Sequence, residues 1–96
     1  SEEQEKVVLK FNEDKLTMTR FSEPKTILHF IKNGQHVVSI PTPLGAQHFV
    51  TDTQHYHLDV DNQALELHYD LKRVDDDQLF ASYQMKIEWK EEKFEK

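Results

Sequence analysis

From His55 to Trp89 large apolar side chains recur at every second residue, in three runs separated by short polar breaks. Tyr56, Leu58 and Val60 alternate with His55, His57 and Asp59; Leu65, Leu67, Tyr69 and Leu71 alternate with Glu66, His68, Asp70 and Lys72. Leu79, Ala81, Tyr83, Met85, Ile87 and Trp89 alternate with Phe80, Ser82, Gln84, Lys86, Glu88 and Lys90. A period of two is strand periodicity with one buried face, and no helix can satisfy it. A two-residue turn at Asp61-Asn62 pairs Leu58 with Leu65 and Tyr56 with Leu67. A three-residue loop at Asp75-Asp76-Asp77 pairs Leu71 with Ala81, Tyr69 with Tyr83, Leu67 with Met85 and Leu65 with Ile87. A slip of one residue would set Leu and Tyr against polar groups, so the register is strongly determined. These three strands form an antiparallel meander.

The earlier part of the chain follows the same rule less cleanly. Val7, Leu9 and Phe11 lead through Asn12-Glu13-Asp14 to residues 15–20, and pairing Phe11 with Leu16 sets Leu9 against Met18 and Arg20 against Val7. Residues 26–32 and 35–40 flank Asn33-Gly34, a dipeptide suited to a two-residue type I′ hairpin loop. That register would place Phe30 beside Val37, His29 beside Val38 and Ile27 beside Ile40. Both faces of this hairpin would then be apolar, which calls for cover on both sides.

Ile40-Pro41-Thr42-Pro43-Leu44-Gly45 holds two of the three prolines and one of the two glycines. Thr42-Pro43-Leu44-Gly45 suits a type I turn. The segment is expected to be a corner between the N-terminal hairpins and the meander. Residues 47–51 read as a short strand and Thr51-Asp52-Thr53 as a turn or bend. The sum is about eight antiparallel strands in a single all-β domain spanning residues 1–96. Residues 1–6 and 91–96 read as frayed tails, the latter with a short helical turn at Phe94. Turn signals at this spacing predict a meander barrel or sandwich.

With 96 residues, 36% of them hydrophobic, the chain can bury only a small core. A net charge of −6 without a Lys/Arg run argues against nucleic acid as a partner. The chain has no cysteine, which removes disulfides, thiolate metal sites and a cysteine nucleophile. No apolar run approaches the ~18 residues of a membrane span. A cytoplasmic protein without membrane contact is the expectation.

Several stretches together resemble the YwiB-like family of small bacterial proteins, a domain of unknown function with a lipocalin-like (calycin) β-barrel. They are residues 15–20 ending in Arg20, Phe30-Ile31 before Gly34, Thr42-Pro43-Leu44-Gly45, Thr53, the acidic turn after Val60, and Met85-Lys86-Ile87-Glu88-Trp89. The resemblance implies a calycin-like barrel or partial barrel. It also implies that two or three N-terminal strands of the family precede the point where this sequence begins, and that Phe21-Ser22-Glu23 stands where a Gly follows the Arg. A barrel short of strands would leave apolar surface open, and a second copy pairing along the free edges would cover it. The family implies no catalytic residues.

Three constellations carry possible chemistry. On the outer face of the meander, His55 lies opposite His68 and His57 opposite Glu66. Two histidines in His-x-His spacing, a third across the strand pair and a carboxylate form a workable Zn²⁺ ligand set; the plainer reading is a solvated face that happens to carry imidazoles. On the inner face, Tyr56, Tyr69, Tyr83 and Trp89, with Arg20 at a strand end, could line a pocket for a small apolar ligand; the plainer reading is a packed core with Arg20 at the rim. Asp75-Asp76-Asp77 could hold a cation, but reads more simply as a solvated turn. There is no phosphate loop, nucleophile elbow or zinc-protease motif. The expected function is therefore a non-enzymatic module without a cofactor, binding a small hydrophobic ligand inside the barrel. The alternative is a structural module forming a homodimer through exposed strand edges, with the outer zinc site a distant third.

Overall fold

The computed structural model describes residues 4–91, so the expected turn at Phe94 and the outermost parts of both tails lie outside the described residues. Seven strands follow in order: β1 (Val7–Phe11), β2 (Lys15–Arg20), β3 (Thr26–Ile31), β4 (Gln35–Thr42), β5 (Gly45–Asp59), β6 (Ala64–Arg73) and β7 (Leu79–Glu88). They form a three-stranded sheet in the order β1-β2-β3 and a four-stranded sheet in the order β4-β5-β6-β7, with every pairing antiparallel. The fold is an all-β meander bent into two facing layers, a partial barrel. Among the described residues the barrel does not close: β3 is not paired with β4, nor β1 with β7.

The meander has the register expected from alternation. Leu58 faces Leu65, Tyr56 faces Leu67, and Leu67, Tyr69 and Leu71 face Met85, Tyr83 and Ala81. Phe11 faces Leu16 and Arg20 faces Val7. The main core lies between the sheets, where Leu16, Met18 and Phe30 from one layer meet Tyr56, Leu65, Leu67 and Tyr69 from the other. A smaller cluster of Val38, Phe49 and Leu71 lies further along the second sheet, and Leu28 packs against both.

Four expectations are corrected. Residues 26–32 and 35–40 do not form a hairpin: β3 pairs with β2, and β4 pairs with β5. The turn between them is closed by the Gly34 N–H donating to the Ile31 carbonyl at 2.9 Å, and among its non-glycine residues only Asn33 has a positive φ, of 54°. That is a type II pattern, which splays its flanking strands where a type I′ turn would keep them paired. Gly34 also suits a close approach: a Cβ there would meet Ile31 Cγ2 at 3.1 Å and require Ile31 to give by a few tenths of an ångström. The apolar residues on both faces are explained by β3 and β4 belonging to different sheets, and Ile27 and Val37 stay exposed.

The proline segment is not a corner. Pro41 lies within β4 opposite Ala46, and Thr42 faces Gly45, so Pro43-Leu44 is the tip of a tight hairpin. The Thr42 hydroxyl donates to the Gly45 carbonyl at 2.6 Å and accepts from the Leu44 N–H at 3.2 Å. Gly45 has φ 111°, a conformation that strains any residue with a Cβ.

Residues 51–53 do not turn. β5 runs unbroken for 15 residues, with a bulge between Thr53 and His55. Gln54 is the extra residue, and it moves the buried positions from Phe49, Thr51 and Thr53 to Tyr56. Finally, the expected count of about eight strands becomes seven because the segments on either side of this bulge are one strand. A second bulge, between Leu71 and Lys72 in the β6–β7 pairing, makes Phe80 the extra residue and brings its ring edge-on to Phe49 at 5.3 Å. Simple alternation had put Phe80 on the outer face.

Candidate functional site

Strands β5 and β6 lie in the interior of their sheet, each paired on both sides, so side chains on them start from a firmly held backbone. On the outer face His55 faces His68, with ring centroids 4.7 Å apart and planes tilted by 41°. Glu66 lies two residues before His68 on the same face. Its Oε1 is 3.1 Å from His68 Nε2 and 3.7 Å from His55 Nε2. One ligand atom from each residue falls within 4.8 Å of the other two. His57 faces Glu66 in register but stays outside this group of three. Lys86, the cross-strand neighbour of Glu66 on its other side, turns to Glu88 at 3.8 Å. The Glu66 carboxylate is thereby shared by two imidazoles and is not neutralised by the lysine.

The expected inner-face residues divide. Tyr69 is buried between Phe30, at 4.5 Å between ring centroids, and Tyr83, which stacks on it at 5.1 Å and 23°. Burial pushes the Tyr69 phenol above its ordinary pKa, Tyr83 adds to this, and the Arg20 guanidinium acts in the opposite sense. Tyr69 and Tyr83 thus stack together, with the Arg20 charge near enough to act on Tyr69. Tyr56 is elsewhere and is structurally engaged: its hydroxyl donates to the Asn12 carbonyl at 2.7 Å, and burial with the nearby Asp14 pushes its pKa up to about 12. Trp89 packs on Phe11 at 5.0 Å. The main surface hollows are lined by other residues. One of them is a recess of about 430 Å³ lined by Ala46, Gln47, His48, Phe49, Arg73, Val74, Asp75 and Phe80.

Strand β7 has β6 as its one partner among the described residues, leaving its other edge free over ten residues. Leu79 to Met85 carries no charge, no proline and no glycine, while Leu79, Phe80 and Tyr83 are 55%, 61% and 43% exposed. Natural edges of this length are usually blunted by charge, proline or a covering element. The contact of Phe80 with Phe49 depends on a bulge that alternation does not reveal.

A family model described as a domain of unknown function, DUF1934, matches residues 1–87. The chain belongs to the DUF1934 family. No curated protein and no solved structure matches it. Among the described residues of this DUF1934 domain, no helix is long and apolar enough to cross a membrane.

Proposed function

We propose that this DUF1934 domain is a non-enzymatic interaction module that assembles with a second copy of itself along β7. The observation that carries this reading is the free β7 edge, uncharged from Leu79 to Met85, beside the exposed rings of Phe80 and Tyr83. An antiparallel strand pair about a two-fold axis is self-complementary, so one edge suffices to build a dimer. The overall shape agrees. The radius of gyration is 15.3 Å and the extents are 53 × 38 × 18 Å, whereas a compact domain of this length has a radius near 12 Å, roughly. A flat, open layer pair gains burial by doubling.

The calycin-like relation expected from Thr42-Pro43-Leu44-Gly45 and the Met85 to Trp89 stretch belongs to this reading, supported by the next-neighbour antiparallel order of both sheets. A small apolar ligand between the sheets has less support. Leu16, Phe30, Leu65 and Leu67 fill that space with no exposed surface, and the Tyr56 hydroxyl already has a partner.

Light scattering after size exclusion, over a concentration series, tests the proposal. A dimer is expected, with Tyr83→Lys and Leu79→Lys shifting it to monomer while circular dichroism stays unchanged. Hydrogen exchange should show β7 amides slowing as dimer forms. A strict monomer at high concentration, or a dimer indifferent to both lysines, would overturn it.

A further inference from the structure

The geometry points to a binding site for a divalent transition-metal ion made by His55, Glu66 and His68. Two imidazole nitrogens and one carboxylate oxygen suit Zn²⁺, Cu²⁺ or Ni²⁺ and discriminate against Mg²⁺ and Ca²⁺, which take oxygen ligands. Tetrahedral Zn²⁺ with bonds of about 2.0–2.2 Å separates its ligand atoms by about 3.3–3.5 Å. Glu66 Oε1 stands 3.1 Å and 3.7 Å from the two Nε2 atoms, on either side of that value. All three ligand atoms already lie within 4.8 Å of one another. Bringing them onto one ion needs only adjustment of partly exposed side chains.

Two further observations separate this arrangement from a chance scatter of imidazoles. The three residues stand on β5 and β6, both interior strands, with His55 directly opposite His68, so the backbone of the site is fixed before any ion arrives. Glu66 is also left to the histidines, because Lys86 pairs with Glu88 instead. His57, an obvious member of the set from its His-x-His spacing, is not a ligand in this geometry. It faces Glu66 and lines a hollow with Asp59, Asn62, Glu66 and Lys86, but brings no nitrogen into the group of three. Three protein ligands leave the remaining coordination positions to water, and the site faces solvent, so what is proposed is ion binding and no reaction.

The test is calorimetric titration of the untagged chain with Zn²⁺, with Mg²⁺ as the contrasting ion, and with His imidazole resonances followed by NMR. Saturable binding of one Zn²⁺ is expected, with His55 and His68 signals moving and no response to Mg²⁺. His68→Asn and Glu66→Gln should each weaken binding at least tenfold, roughly, since loss of even an outer partner of a ligand costs that much, while His57→Asn changes it less than about threefold. Circular dichroism confirms that each variant is folded. Since the site lies on an outer face, a variant that unfolds is replaced by His55→Gln, which reads the same loss. No saturable Zn²⁺ binding, binding that survives His68→Asn, or binding abolished by His57→Asn alone would overturn the assignment.

Discussion

The Thr51 hydroxyl donates to the His29 carbonyl at 2.6 Å, tying β5 of one sheet to β3 of the other at the place where the two layers part. Thr51 has no exposed surface, so this hydrogen bond is formed away from water. Two positions on, Thr53 is 1% exposed, and its Oγ1 has no hydrogen-bond partner among the described residues. The two threonines are alike in burial and opposite in satisfaction.

Thr51→Val is expected to destabilise the domain by about 0.5–1.5 kcal/mol, the net worth of its hydrogen bond to the part-buried His29 carbonyl. Thr53→Val should be neutral or stabilising, up to about 1 kcal/mol, because it removes a buried polar atom that gains nothing. Urea unfolding of the two variants side by side checks this. Equal losses from both would contradict the assignment of the hydrogen bond.

Tyr56→Phe removes the bond to the Asn12 carbonyl, which holds the β1–β2 turn against β5. The loss should be about 0.5–1.5 kcal/mol at neutral pH. The pH dependence has a definite sign. The folded phenol sits at about 12 and the unfolded one at 10.0, so the stabilisation is complete below 10 and is lost as pH rises towards 12. The alkaline limb of a stability–pH curve should therefore flatten in Tyr56→Phe. The wild-type slope persisting in the variant would show that another group is responsible.

His29 should make the domain acid-sensitive. Its pKa is lowered from 6.5, first by burial, then by His36, whose ring lies 4.6 Å away, and by Lys15. The unfolded imidazole takes up its proton before the folded one as pH falls. Stability is thus full above 6.5 and declines as pH drops from there to the depressed folded value. Denaturation midpoints between about pH 8 and pH 5 should fall less in His29→Gln than in the parent chain. An unchanged profile would place the acid sensitivity elsewhere.

Alternation and short turns alone determined the β1–β2, β5–β6 and β6–β7 registers. In each, a brief loop leaves one pairing that keeps Leu and Tyr off the solvent face. The same pairings set His55 against His68 and Tyr69 against Tyr83, because register alone decides which residues stand opposite one another. Three features were decided by tertiary structure. Asn33-Gly34 is locally compatible with more than one turn type, and the type II form prevails because β3 completes its pairing with β2 while β4 completes its own with β5. The bulges at Gln54 and Phe80 exist to keep Tyr56 inside and Phe80 against Phe49, demands made by partners far away in sequence. Within the histidine face, strand spacing offered His57 and His55 equally. Side-chain direction joined Glu66 to His55 and His68 and left His57 outside. Period-two patterning specifies which residues share a face, but which atoms on that face meet depends on bulges and rotamers set by the assembled sheet.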